Sequence, residues 1–158
     1  MPSEPQLPAE PICLVFGDED FLVRDRAKQI YEGWCAAAGG MDHEVVDGTV
    51  RNADEALQAL AKLNEALQTL PFFGGNKVVW LRGANFLGDD RTASSAAVTD
   101  RLTELSKSWE SFDWQGVQLL ISAGKVDKRK SFLKTVKKFA ALEDKTVSEK
   151  ERGGRAAM

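Results

Sequence analysis

The residues with the best claim to chemistry follow the apolar run Ile12 to Phe16, where the chain reads Gly17-Asp18-Glu19-Asp20-Phe21-Leu22. A phosphate cradle at such a strand-to-helix turn needs GxxxxGK[ST], with glycines to bend N–H groups around phosphates and a lysine to neutralise them. Here three carboxylates stand where phosphates would sit, with no lysine and no second glycine. These acids suit the positive end of a helix, worth about 0.3–1 kcal/mol each, and would repel a triphosphate. The expectation is an acidic helix cap and no nucleotide, metal or other cofactor.

Other catalytic patterns are equally thin. The single histidine, His43, stands at a strand edge beside Glu44, and no GxSxG elbow exists. Cys13 and Cys35 are 22 residues apart without a CxxC or HxxxH pair, so zinc-ligand spacing is missing. Asp89 and Asp90 form a lone acidic pair in a polar loop.

Two other segments stand out. Leu70-Pro71-Phe72-Phe73-Gly74-Gly75 joins a helical pattern to an apolar strand. Proline biases Leu70 towards an extended backbone and the glycines free the chain that follows. Two readings fit the aromatic pair: a hydrophobic plug for a partner's pocket, or closure of the core's own end. The second segment is Lys125, Lys128, Arg129 and Lys130, with Lys134, Lys137 and Lys138 beyond, seven bases in fourteen residues. It is a candidate contact for phosphate or an acidic partner, and equally the solvated face of a helix whose other face is Phe132, Val136 and Phe139. Asp127 is placed to N-cap that helix.

The elements that must position these residues alternate. Strands are expected at Ile12–Phe16, His43–Asp47, Lys77–Leu81 and Val117–Ser122, with a weak fifth around Lys145–Val147. Helical stripes run through Val23, Ala27, Ile30, Tyr31, Trp34 and Ala38; through Ala53, Leu57, Leu60, Leu63 and Leu67; through Val98, Leu102, Leu105, Trp109 and Phe112; and through Phe132, Leu133, Val136, Phe139 and Ala140. Gly39 and Gly40 stop the first helix, Asn52 caps the second, and Ser94 or Ser95 caps the third. Strands too apolar for a wet face, alternating with helices, predict an α/β three-layer doubly wound domain with a mainly parallel sheet.

Bulk properties agree. The chain has 158 residues, 43% hydrophobic and 28% charged, with a net charge of −3. That is one globular domain, and its acidity argues against coating nucleic acid as the main task. Sparse cysteine fits a reducing cytoplasm, no run approaches the roughly 18 apolar residues of a membrane span, and the start lacks a signal-peptide layout. Four prolines in residues 1–11 mark an extended, mobile leader, 12–147 the folded domain, and 148–158 a linker or truncated end.

Three segments in register resemble the N-terminal domain of the bacterial DNA polymerase III delta subunit. FGDEDFLVRD is similar to that family's G-[DE]-[DE]-x-[FY]-L turn, TLPFFGGNKVVWLRGANF to its Phe-Gly segment leading into a strand, and LLISAGKVDKRKSFLKTVKK to its strand, basic turn and helix. The resemblance spans roughly residues 12–147. It implies an AAA+-like domain whose nucleotide site is degenerate, a non-catalytic clamp-loader subunit of the replicative polymerase, and a hydrophobic tip that docks on the sliding clamp and helps open it. The tip maps to Phe72 and Phe73 with Leu70 beside them. Relatives carry a helical lid and a collar that assembles the loader with its other subunits, DNA being a possible contact of the full assembly, so this chain looks like an excised first domain.

Overall fold

The computed structural model describes residues 6–69 and 76–146. Strand β1 (Ile12–Phe16) leads to helix α1 (Asp20–Ala38), strand β2 (Glu44–Asp47) to α2 (Ala53–Gln68), and β3 (Lys77–Arg82) through a 3-10 turn at Asn85–Leu87 to α3 (Ala96–Ser111). Strand β4 (Val117–Ser122), helix α4 (Ser131–Val136) and β5 (Ala141–Asp144) complete it. The sheet is five-stranded in the order β2-β3-β4-β1-β5 and every pairing is parallel. Its central strands β1 and β4 are almost wholly buried, as continuous apolar runs require.

Strand order explains the layering. The chain steps from β1 out to the edge at β2, then returns through β3 and β4 and past β1 to β5. Right-handed crossovers put the helix of the outward step on one face and those of the return on the other. Accordingly Val23, Ala27, Ile30 and Trp34 of α1 pack on Cys13, Val15, Val78 and Leu120. The larger core on the opposite face joins Leu60 and Leu63 of α2, Leu102 and Leu105 of α3, and Phe132 and Leu133 of α4 to Leu14, Val79, Leu119 and Ile121.

The structure also departs from the sequence pattern in instructive places. Helix α4 ends at Val136, because Lys138 and Phe139 donate to carbonyls three residues back and tighten the chain into turns. Phe139 and Ala140 still pack on the core, and the turn delivers Ala141 into register with Cys13. The fifth strand therefore lies at Ala141–Asp144, not around Lys145; Val147 falls outside the described residues. The edge strands β2 and β5 are half-wet, unlike the dry strands expected. Asn52 does cap α2, accepting from the Glu55 N–H at 2.9 Å.

Residues 6–11, expected as mobile, run extended beside α1 and are held there. Leu7 packs over Gly33, the Gln6 carbonyl accepts from Arg26 and the Pro8 carbonyl from Trp34 Nε1 at 3.3 Å. Arg26 also reaches the other edge of the sheet, donating from Nε (2.7 Å) and Nη2 (2.9 Å) to both oxygens of Glu143. The guanidinium holds the Glu143 carboxyl below its ordinary value. A lowered folded-state pKa stabilises fully above the unfolded value and is lost as pH falls through the folded one. Glu143→Gln should therefore cost about 1 kcal/mol in urea unfolding at pH 7, a gap that shrinks as the pH is lowered towards 3. An equal gap at both pH values would refute the pairing.

Candidate functional site

In a doubly wound sheet, ligands gather beyond the carboxyl ends of the strands. At the first of these, the Gly17 N–H donates to the Gly124 carbonyl at 3.0 Å, and Lys145 donates to the Phe16 carbonyl. A Cβ on Gly17 would stand 2.5 Å from the Lys145 carbonyl carbon. The glycine thus admits the chain after β5 rather than a phosphate. The acidic cap is realised only in part. Glu19 occupies the N-cap without a side-chain cap bond, its extra methylene suiting it poorly to that reach. Asp20 lies in the first turn, where the helix field favours an acid, and pairs with Arg24 at 3.1 Å.

Burial keeps the two thiols and the tyrosine phenol protonated. Burial pushes the Cys13 thiol and the Tyr31 phenol up to about 12, and raises Cys35 as well. His43 accepts from the Val78 N–H at Nδ1 (3.0 Å), which leaves Nε2 to donate to the Gly39 carbonyl (2.7 Å). Both ring nitrogens are spent on joining α1's end to β3. Asp90 accepts from the Ala93 N–H and shapes its loop. Among the described residues, no three His, Cys, Asp or Glu side chains group to hold a metal ion.

The basic segment is more self-neutralised than its composition suggests. Asp127 does not cap α4; Lys130 stands at the N-cap without a side-chain cap bond. The Asp127 carboxylate instead accepts from the Arg129 backbone at 3.0 Å and from its guanidinium at 2.9 and 3.0 Å, which lowers it to about 2. Two residues is the spacing of an Asx-turn, and it outcompetes a cap four residues on. Lys128 pairs with Asp144 at 3.2 Å and lies 5.6 Å over the Phe16 ring. Lys130 donates to the Ala93 carbonyl at 2.6 Å. Lys125, Lys134, Lys137 and Lys138 stay exposed.

Leu70, Phe72 and Phe73 lie outside the described residues, but both ends of their segment are described. Helix α2 ends in Thr69, whose N–H and hydroxyl both bond the Glu65 carbonyl. Across the segment, Lys77 opens β3 with its side chain only 3% exposed. Its ammonium donates to the carbonyls of Ala66 (2.7 Å) and Thr69 (2.9 Å) and pairs with Glu44 at 2.7 Å. Sequence reasoning took Lys77 only as the start of a strand. The available signal was a lysine heading an otherwise apolar run.

A second feature without a sequence forecast is a cleft of about 770 Å³ between α1 and β3, near where β1 and β4 send their helices to opposite faces. The Tyr31 and Trp80 rings meet along its wall at 5.1 Å, tilted 40° to each other, and Arg82 lies 5.8 Å over the Trp80 ring. Ser122 Oγ accepts from Trp80 Nε1 at 2.9 Å and from the Gly83 N–H at 3.2 Å, so this hydroxyl props the wall.

Comparison with known proteins places this geometry. A family model described as DNA polymerase III, delta subunit, matches residues 14–146. Among solved structures, the chain is similar to the Bacillus subtilis DNA clamp loader delta protein, with a TM-score of 0.60 and 20% identity. The match covers 92% of this chain and 41% of that one, so the chain spans less than half the length of that relative. No curated protein matches. Among the described residues, no helix is long and apolar enough to cross a membrane.

Proposed function

The chain belongs to the DNA polymerase III delta subunit family, a non-catalytic family of clamp-loader subunits, and from that premise we propose that it binds the DNA sliding clamp and helps to open it. Leu70, Phe72 and Phe73 form the docking tip. The observation that carries this reading is the placement of that Leu-Pro-Phe-Phe-Gly-Gly connector between α2 and β3, inside the span matched by the family model. A subunit of a non-catalytic family contributes binding energy rather than turnover. Such energy opens a ring only when the opened interface is bound better than the closed one. Work of this kind belongs to chromosomal replication in the cytoplasm. Membership of this family implies the other clamp-loader subunits as partners.

A second reading, nucleic-acid binding through the basic segment, is favoured by the exposed Lys134, Lys137 and Lys138 and weakened by the internal partners of Lys128, Arg129 and Lys130. A binding assay separates the two. The chain is titrated with a purified bacterial sliding clamp and, in parallel, with labelled duplex DNA, each at two salt concentrations. Clamp binding that varies little with salt is expected. Affinity for DNA alone, collapsing as salt rises, would replace the proposal with the second reading.

A further inference from the structure

We infer that Lys77 is a positioning residue for clamp binding, whose gripped ammonium fixes where the chain leaves α2 and where it re-enters β3, the two ends between which Leu70, Phe72 and Phe73 fall in the sequence. This inference rests on the clamp-binding reading of the connector between those ends. Lysine is almost never fully buried unless paired, and here all three N–H bonds have a taker: two carbonyls and one carboxylate. The carbonyls belong to the end of α2, where unpaired acceptors and the helix field both favour a cation. The Lys77 backbone is meanwhile fastened to the body, its N–H donating to the Gly116 carbonyl at 2.8 Å. Residues 69 and 77 are thereby tied by a single side chain across the segment that carries Leu70, Phe72 and Phe73. An apolar side chain of the same length would fill the space as well, and what it would lack is direction.

The test uses the whole chain with Lys77→Met and Lys77→Arg, a purified bacterial sliding clamp, and hydrogen exchange at the Gln68 and Thr69 amides. Lys77→Met is expected to bind the clamp about tenfold more weakly or worse while circular dichroism reports the same folded fraction, because a loosened support shell misplaces the site it holds. Exchange at Gln68 and Thr69 should quicken while that of β1 and β4 stays unchanged. Lys77→Arg, which keeps charge and donors, should restore most of the affinity; a purely structural lysine would leave affinity per folded molecule untouched in all three proteins. Unchanged affinity in a folded Lys77→Met overturns the inference. Should that variant not fold, Glu44→Gln carries the test from a half-exposed position, with about threefold weaker binding expected and none overturning it. If the wild-type chain itself ignores the clamp, the proposed function fails, and the role of Lys77 in holding the exit from α2 stands or falls on the exchange rates alone.

Discussion

A chain carrying Phe72→Ala together with Phe73→Ala is expected to remain folded and to lose the sliding clamp it is proposed to bind. Burying a phenylalanine side chain on a partner contributes about 1.5–3 kcal/mol, so the pair supplies about 3–6 kcal/mol. At 1.4 kcal/mol per factor of ten, that is a loss of roughly 10²- to 10⁴-fold in affinity, enough to remove binding from an ordinary assay. Interface energy concentrates in a few such aromatic anchors, so neighbouring contacts would not compensate. The fold is expected to survive because Lys77 already grips the end of α2, and Leu60, Leu63 and Leu67 belong to a core cluster shared with α3, α4 and the sheet. Urea midpoints and circular dichroism check the fold; titration against the clamp checks the function. A double variant that unfolds means the rings close the core, and one that binds normally means the docking tip lies elsewhere. Either result refutes the assignment.

How far the sequence could be read depended on whether a signal was local. Strands β1 and β4 lie where their apolar runs predict, since a strand buried on both faces leaves nothing polar in its sequence. Strand β5 was misplaced because Ala141-Leu142-Glu143-Asp144 sits half-wet at an edge and carries no such run. Seven bases in fourteen residues describe a charge count, not the partners: Asp144, Asp127 and the Ala93 carbonyl come from elsewhere in the fold or from a competing turn. Lys77 is the extreme case. Its type argues for solvent, and only the end of α2 and Glu44 on the neighbouring strand, both tertiary facts, make it a buried anchor. The proposed docking residues rest on family resemblance joined to the oddity of two rings before two glycines, a different kind of inference from periodicity.

Gly17 permits a prediction of similar size on stability. Its φ of +145° is one that residues with a side chain rarely adopt, and the would-be Cβ meets Lys145 C at 2.5 Å, Thr146 N at 2.6 Å and Lys145 Cα at 2.9 Å. These are backbone atoms, bound in place by the Lys145 to Phe16 hydrogen bond, and cannot swing aside as a flexible side chain would. Backbone strain of about 1–3 kcal/mol and overpacking of about 1–3 kcal/mol act together. Gly17→Ala should then lose about 3–5 kcal/mol in urea unfolding, a large share of the 5–15 kcal/mol typical of a domain. Gly124→Ala is the control. That glycine accepts the Gly17 N–H bond, yet a Cβ there meets nothing within 4 Å, so a change within about 0.5 kcal/mol is expected. A Gly17→Ala protein as stable as the wild type would mean the chain after β5 does not cross this turn so closely. The space would then be free for a ligand, and the physical case for a turn filled by chain packing would be gone.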